Sequence, residues 1–381
     1  MGKVLVDPNR LCMGCMEILD RGGNRCPKCG FLLSEYKQPV NSMPPYEILN
    51  GKYLVGKVIG MGGFGITYIG WDFYQSKKVC IKEYFPKGVA QREQTTSYST
   101  DFSTYSMDVF TINTKKAAYL GGLQGYIKEA ENLSKFYAMP GIVSVRDFFY
   151  GNKTAYIVME YIDGINLRQF AKACGGVMES YIVFEMLKDV IKALNKVHKS
   201  GIVHRDISPD NIMVTKDYHA KLIDFGAAKQ FGAGQERTIF LKHGYAPIEQ
   251  YDRNGNQGPW TDVYSLCATM YYLITGVKLQ KSYERVAQDN TIPLSRFNIE
   301  IKDYQERALL KGINVQIEDR YSSMAELYYD LYQEQLPGEE LNPKMMQYQE
   351  PPEIPNISRE EAACISSSSS FPITRQFFGL T

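Results

Sequence analysis

The sequence has no excess of charge of either sign, no apolar run long enough to span a membrane, and no apolar stretch at its start. Its 43 Lys and Arg residues balance 42 Asp and Glu residues, for a formal net charge of +1. This balance argues against nucleic acid or an anionic membrane surface as a partner. A length of 381 residues predicts two or three domains at roughly 100 to 200 residues each.

The longest weakly polar run, 263–277, contains no charged residue but has only 15 residues. Because roughly 20 residues are needed to cross a bilayer, we expect a buried helix here and no membrane segment in this chain. The first residues lack the apolar core of a signal peptide, and Val6 stands where a myristoylation signal has Ser or Thr. These absences predict a cytoplasmic protein with reduced thiols.

Four of the eight cysteines lie in the first 30 residues, as Cys12 and Cys15 and, after ten intervening residues, Cys26 and Cys29. This is the spacing of a zinc ribbon, because two thiolates on each of two tight turns can meet at one tetrahedral ion. Four thiolates leave no open coordination position, so the predicted Zn²⁺ is structural. Disulfides and free thiols are the alternatives to zinc, and the ribbon is a candidate binding site for a protein partner.

Composition and periodicity divide the chain into four parts. We predict the zinc ribbon over 8–33, a polar, proline-containing linker over 34–50, a large folded domain over 51–336 and a disordered tail over 337–381. The tail is assigned from its prolines and a run of five serines.

The large domain begins with short β-like runs and continues with helical periodicity, which predicts an α+β fold of two lobes. The smaller, β-rich lobe covers 51–162 and the larger, helical lobe covers 163–336. A long insertion at about 88–122, rich in Ser, Thr and Tyr, adds strands, covers the helix that follows it or is a tolerated surface loop.

Gly60, Gly62 and Gly65 match the pattern G-x-G-x-x-G. A dinucleotide-binding turn has the same pattern but opens a helix, whereas strand-like residues 66–73 follow here. We therefore expect a strand-loop-strand cover whose backbone amides approach phosphate oxygens without a Cβ in the way. A simple glycine hairpin is the alternative.

A strand lysine, Lys82, follows Gly65 by 17 positions. A lysine here is a compact cation for the α- and β-phosphates of a nucleotide, and it needs a carboxylate to hold it in place. Glu129 is the predicted partner, with Glu131 as the alternative.

Farther along come His204-Arg205-Asp206 with Asn211, Asp224-Phe225-Gly226, Pro247-Ile248-Glu249, Asp262 and Arg320. In this order, after the glycine loop and Lys82, the motifs resemble the eukaryotic-type protein kinase superfamily over roughly 52–336. The segments IKEYFP, HRDISPDN and GYAPIEQY resemble a bacterial branch of serine/threonine protein kinases that often carries a zinc ribbon. The resemblance implies a bilobal protein-kinase fold preceded by the ribbon.

The resemblance also implies an ATP- and Mg²⁺-dependent enzyme that phosphorylates Ser or Thr hydroxyls of protein substrates. Asp206 would orient the acceptor hydroxyl, Lys82 and Glu129 would position the phosphates, and Asn211 and Asp224 would bind Mg²⁺. The implied nucleotide contacts are Ile59, Gly60, Gly62, Gly65, Thr67, Cys80, Lys82, Met159, Glu160, Ile162 and Met213.

Two positions depart from the family pattern. Ser208, two residues after Asp206, stands where serine/threonine kinases usually have lysine, and Lys242, seven residues before Glu249, stands where they have threonine. We interpret this as an exchange in which Lys242 supplies the cation for the developing charge on the γ-phosphate. A pseudokinase, a zinc-ribbon adaptor and a small-molecule phosphotransferase are the alternatives.

The activation segment offers few acceptors for regulation. Between Asp224 and Glu249 the only side-chain hydroxyls are those of Thr238 and Tyr245. Arg205 is the type of residue that pairs with a phosphate on this segment. The sequence therefore predicts autophosphorylation at Thr238.

Overall fold

A computed structural model describes residues 6–19, 25–92, 107–111, 113–225, 229–230, 241–252 and 254–339. The chain forms two compact units. The first contains Met1–Ala138 and Val143–Ile162, and the second contains Met139–Ile142 and Asp163–Thr381.

The first unit is built on a six-stranded antiparallel sheet of order β1-β2-β3-β4-β8-β7, and β5 and β6 form a separate hairpin pair. Its strands are β1 (Ile48–Leu49), β2 (Tyr53–Met61), β3 (Gly65–Asp72), β4 (Lys77–Tyr84), β5 (Ala90–Arg92), β6 (Val109–Thr111), β7 (Val145–Gly151) and β8 (Thr154–Glu160). Helix α1 (Lys116–Ser134) follows β6, and short 3₁₀ helices cover Pro8–Arg10, Leu33–Glu35 and Asn113–Lys115. The β-rich lobe predicted from the sequence is confirmed.

The second unit is mainly helical and contains two small sheets, β12-β11-β9 and β10-β13. Its helices are α2 (Leu167–Ala173), α3 (Ser180–Lys199), α4 (Pro259–Thr275), α5 (Ser282–Ala287), α6 (Asp303–Gly312) and α7 (Met324–Tyr332). Its strands are β9 (Gly164–Asn166), β10 (Ile202–Val203), β11 (Ile212–Thr215), β12 (Ala220–Leu222) and β13 (Lys229–Gln230). Further 3₁₀ helices cover Pro209–Asn211, Ile248–Gln250 and Leu294–Phe297.

The apolar run at 263–277 is confirmed as part of a buried helix. Nearly every residue of α4 from Thr261 onward is buried, and the helix ends at Gly276, whose φ of +73° suits a glycine C-cap. No helix among the described residues is long and apolar enough to span a bilayer.

Residues of the predicted linker pack against the sheet of the first unit. Met43 is 1% exposed, and its N–H donates to the hydroxyl of Tyr68 at 3.0 Å. The hydroxyl of Tyr36 accepts from the N–H of Val58 at 3.0 Å. The domain boundaries given above stay predictions, and the tail from residue 340 lies outside the described residues.

Candidate active site

One buried carboxylate fixes the backbone of the HRD segment between β10 and β11. Asp262, in the first turn of α4, accepts from the N–H groups of His204 at 2.7 Å and Arg205 at 2.8 Å. Arg205 has a φ of +70°, a left-handed conformation that is costly for a non-glycine residue and needs such support. Burial acts to raise the pKa of Asp262, but His198 and these N–H groups hold it below its usual value.

The ring of His204 connects the catalytic loop to the segment that contains Asp224. Its Nε2 lies 3.1 Å from the carbonyl oxygen of Ile223, and its Nδ1 lies 3.2 Å from the backbone N of Asp206. Burial lowers the pKa of His204, so the ring is neutral, donating through Nε2 and accepting through Nδ1. Phe225 packs edge-to-face on it, with ring centroids 4.4 Å apart.

The hairpin of β11 and β12 brings Asn211 and Asp224 to the same end of the second unit's larger sheet. Ile212 pairs with Leu222, and beyond this pair the N–H of Ile223 donates to the Asn211 carbonyl at 2.8 Å. The Asn211 amide nitrogen donates to the Asp206 carbonyl at 2.8 Å and carboxylate at 2.7 Å. Because the amide nitrogen of Asn211 makes these bonds, the amide oxygen is the atom of this side chain that can bind a cation. Together with the carboxylate of Asp224, it offers the oxygen ligands that Mg²⁺ prefers.

Lys242 reaches the catalytic loop from the activation segment. Its Nζ lies 3.1 Å from a carboxylate oxygen of Asp206 and donates to the hydroxyl of Ser208 at 3.0 Å. Ser208 is fully buried, and its hydroxyl accepts directly from the ammonium group. The structure thus places one cation beside the predicted catalytic aspartate, and that cation comes from position 242.

A buried ion pair holds the segment that follows Lys242. Glu249 and Arg320 are joined by two contacts of 2.8 and 2.9 Å, and the Thr261 hydroxyl donates to Glu249 at 2.9 Å. The next residue, Gln250, donates to the carbonyl of Arg205 at 2.7 Å. This chain of contacts fixes the activation segment to the catalytic loop.

A second ion pair, which could not be predicted from the sequence, lies beside the catalytic loop. Arg168, on α2, binds both carboxylate oxygens of Asp210 at 2.7 and 2.9 Å. Its guanidinium also lies over the rings of Tyr245 and Tyr272, and it holds the pKa of Asp210 below its usual value. An acidic residue next to Asn211 was a visible signal, but nothing local indicated a partner 42 positions away.

The glycine loop joins β2 and β3 in the first unit as a strand-loop-strand turn. A Cβ on Gly65 would lie 2.2 Å from the carbonyl oxygen of Glu83, so packing against β4 requires glycine there. A Cβ on Gly62 would meet nothing within 4 Å. Packing therefore does not explain the glycine at 62, and the space beside it is open to a ligand.

Four predicted nucleotide contacts project from the same face of the sheet. Thr67 pairs with Lys82, and Cys80 pairs with Met159; paired residues share a face, as do residues two apart on a strand. The remaining predicted contacts lie on β2 (Ile59 and Gly60), at or after the end of β8 (Glu160 and Ile162), and on β11 of the second unit (Met213).

Helix α1 presents Glu129 on the side that faces β4. Tyr126, one turn earlier, donates through its hydroxyl to the carbonyl oxygen of Lys82 at 3.0 Å. Glu129 is half-buried, whereas Glu131 is exposed. This difference favours Glu129 over Glu131 as the carboxylate near Lys82.

The four N-terminal cysteines form a cluster whose Sγ atoms all lie within 4.8 Å of one another. The Sγ atoms of Cys12 and Cys29 are 3.6 Å apart, and those of Cys15 and Cys26 are 3.8 Å apart. Tetrahedral Zn²⁺ with Zn–S bonds of about 2.3 Å separates its sulfurs by about 3.8 Å. The residues present therefore fit a structural zinc ion.

Comparison with known proteins identifies the family. Residues 53–326 match the family described as protein kinase domain. The chain belongs to this family. Over 249 residues, the kinase is 32% identical to serine/threonine-protein kinase F of Synechocystis sp., covering 62% of the chain and 46% of that relative.

Two further relatives extend the comparison. Serine/threonine-protein kinase PknB of Mycolicibacterium smegmatis is 27% identical over 299 residues, covering 74% of the kinase chain and 43% of the relative. A solved structure titled PpkA-294 apo form has a TM-score of 0.65 at 29% identity, and the match covers 76% of this chain and 99% of that one. The kinase chain thus spans less than half the length of these two curated relatives. Membership of the protein kinase family implies ATP and Mg²⁺ as cofactors.

Proposed function

We propose that this protein is an active kinase that transfers the γ-phosphoryl group of ATP to Ser or Thr hydroxyls of proteins. The observation that carries the proposal is the cluster of Asp206, Asn211 and Lys242, joined by contacts of 2.7 and 3.1 Å. A pseudokinase does not need a carboxylate that is held by an asparagine and a lysine in this way. The names of the relatives support catalysis over the pseudokinase and adaptor alternatives.

Each residue has a role set by its chemistry. Asp206 accepts a hydrogen bond from the acceptor hydroxyl and orients its oxygen, and Asn211 holds the Asp206 carboxylate in place. Asn211 and Asp224 would hold Mg²⁺, which supplies charge neutralisation of the ATP phosphates when bound. Lys242 stabilises the negative charge that develops on the transferred group.

Residues of the first unit would also contact the nucleotide. The backbone amides of the loop from Gly60 to Gly65 would bind phosphate oxygens, and Lys82, positioned by Glu129, would bind the α- and β-phosphates. Thr67, Cys80 and Met159 share the face of Lys82 and would contact adenine. Zn²⁺ bound by the four cysteines would have a structural role.

Replacing Asp206 by Asn tests the proposal. Turnover with radiolabelled ATP and a generic protein substrate should fall by about 10²- to 10⁴-fold, because the amide cannot accept the hydroxyl proton. The Kd for Mg-ATP should change little. Asp217→Asn, at an exposed turn, is the matched control and should retain full turnover. A wild-type chain that binds Mg-ATP but transfers no phosphate would favour the pseudokinase instead.

Autophosphorylation at Thr238 follows from the same proposal. Thr238 lies outside the described residues, but the other hydroxyl of this segment, on Tyr245, belongs to a side chain that is 2% exposed and lies 3.4 Å from Arg168. We therefore expect mass spectrometry after incubation with Mg-ATP to find phosphate on Thr238 in the wild type and none in the Asp206→Asn variant. An active preparation with unmodified Thr238 would contradict this prediction.

A further inference from the structure

The zinc ribbon contacts the strand that leads into the glycine loop. The β2–β3 ladder shifts register between Val55 and Val58 and again before Gly60. Within this irregular stretch, the N–H of Lys57 donates to the carbonyl of Met13 at 2.8 Å. Met13 lies between the zinc ligands Cys12 and Cys15, so a metal-held turn provides the acceptor for a β2 amide.

The approach of the ribbon to β2 is close enough to require glycine. A Cβ on Gly56 would lie 2.2 Å from the Cε of Met16 and 2.6 Å from the carbonyl oxygen of Met13. Gly56 has a φ outside the left-handed range, so contact with the ribbon, and not backbone conformation, explains the glycine. Gly60, the first glycine of the loop, lies four positions after Gly56.

Strand register shows which face of the sheet the ribbon covers. Ile69 pairs with Cys80 and Trp71 pairs with Lys78, so both lie on the face of Lys82. Ile69 and Trp71 are buried in one cluster with the ribbon residues Leu11, Met13 and Met16. Lys78 adds an ion pair of 2.8 Å to Glu17 of the ribbon.

The same cluster reaches the end of β8. Tyr161, which directly follows Glu160, is partly buried and packs against it. Glu160 and Ile162, on either side of Tyr161, are among the predicted nucleotide contacts. The ribbon therefore contacts both β2, which continues into the glycine loop, and the segment that contains these two predicted contacts.

We propose that the ribbon is a positioning element for nucleotide binding, in which Met13 and Met16 transmit the state of the cysteine cluster to β2 and to Tyr161. This inference rests on the proposed function, because it uses the same nucleotide face. It goes beyond a structural zinc site, since zinc binding would then raise the affinity for ATP, and ATP binding the affinity for zinc. By linkage, each ligand must change the affinity of the other by the same factor.

Met16→Ala is the first test, with Met43→Ala as a matched control. Both methionines are buried in the first unit, at 0% and 1% exposure. Met16 packs on the nucleotide face, whereas Met43 contacts Tyr68 and Tyr156, whose side chains project from the opposite face. We expect both variants to lower the melting temperature. Only Met16→Ala should raise the Kd for Mg-ATP, by about fivefold or more, with kcat at saturating ATP retained.

A surface variant covers the case in which Met16→Ala does not fold. Glu17→Gln removes the ion pairs to Lys78 and Lys28, of 2.8 and 2.7 Å, at a side chain that is 37% exposed. Glu35→Gln, whose partner Arg25 is itself in the ribbon, is its control. The Kd for Mg-ATP should rise in the first variant and remain unchanged in the second.

Zinc release gives a readout that does not depend on activity. A chromogenic chelator added to the full-length, zinc-loaded chain should remove the metal more slowly when a non-hydrolysable ATP analogue and Mg²⁺ are present. Equal release with and without the analogue, or an unchanged Kd for Mg-ATP in Met16→Ala, would overturn the inference while leaving the proposed function intact. A wild-type chain that binds no nucleotide would overturn both.

Discussion

Replacing Lys242 by Ala should lower kcat by about 10²- to 10³-fold, the usual effect of removing one preorganised group that stabilises transition-state charge. The ammonium lies 3.1 Å from Asp206, the carboxylate proposed to orient the acceptor hydroxyl. A cation there acts mainly on charge that develops during transfer. The Kd for Mg-ATP should therefore change little, and the measurement is steady-state kinetics together with nucleotide binding.

An exchange variant distinguishes a catalytic cation from a merely structural lysine. In Ser208→Lys with Lys242→Thr, ammonium and hydroxyl change places, and because these side chains are 3.0 Å apart the cation stays beside Asp206. We expect this double variant to recover much of the kcat lost in Lys242→Thr alone. Ser208→Lys alone should be impaired, since it places two cations at one partly buried site.

Lys278 provides the matched control for Lys242. It is exposed and lies over the ring of Tyr245, with its Nζ 5.3 Å from the ring centroid. No carboxylate in the described part of the chain forms a salt bridge with it. Lys278→Ala should keep kcat near that of the wild type. Unchanged kcat in Lys242→Ala would contradict a catalytic role for Lys242 and would leave the absence of lysine at position 208 unexplained.

The kinase motifs could be found from the sequence because each has a fixed local pattern and a fixed order. Counting back from Glu249 identified Lys242, and the structure brings its ammonium to Ser208, 34 positions earlier. The two lobes were likewise predictable from strand and helix periodicity, and the buried helix α4 was predictable from the run 263–277, which has no charged residue. The roles of the individual site residues stay predictions until the variants above are measured.

The position of the ribbon could not be predicted from the sequence. Residues 36–45 are polar and contain prolines, which indicates a tether between separate modules. The docking depends on Met13, between Cys12 and Cys15, on Met16, directly after Cys15, and on the register that puts Ile69 and Trp71 on one face. Such a contact follows from tertiary packing and leaves no periodic signal in the chain.

A buried ion pair that begins at Glu83, directly after Lys82, could not be predicted from the sequence either. Glu83 is fully buried and pairs with Arg92, whose side chain is 3% exposed. The hydroxyls of Tyr68 and Tyr156 donate to Glu83 at 2.8 and 3.0 Å. Arg92 stands at the edge of a polar insertion, so its local sequence predicts an exposed side chain.

Arg92→Met should therefore lower the free energy of unfolding by about 3 to 5 kcal/mol, because it leaves the Glu83 carboxylate buried without its cation. The guanidinium also donates to the carbonyls of Asn41 at 2.6 Å and Met107 at 3.0 Å. Its bond to Met107 joins the two described residues, Arg92 and Met107, on either side of the segment 93–106, which lies outside the described residues. Urea unfolding followed by circular dichroism measures the effect.

Two further variants decide whether the loss comes from the stranded charge. Lys153→Met removes an ion pair with Asp108 in which the lysine is 60% exposed, and an exposed pair of this kind contributes only about 0 to 1 kcal/mol. Glu83→Leu combined with Arg92→Met removes both buried charges and should recover part of the stability lost in Arg92→Met. If the double variant were less stable than Arg92→Met alone, the carboxylate would be stabilising through its tyrosine hydrogen bonds, and the uncompensated-charge explanation would be wrong.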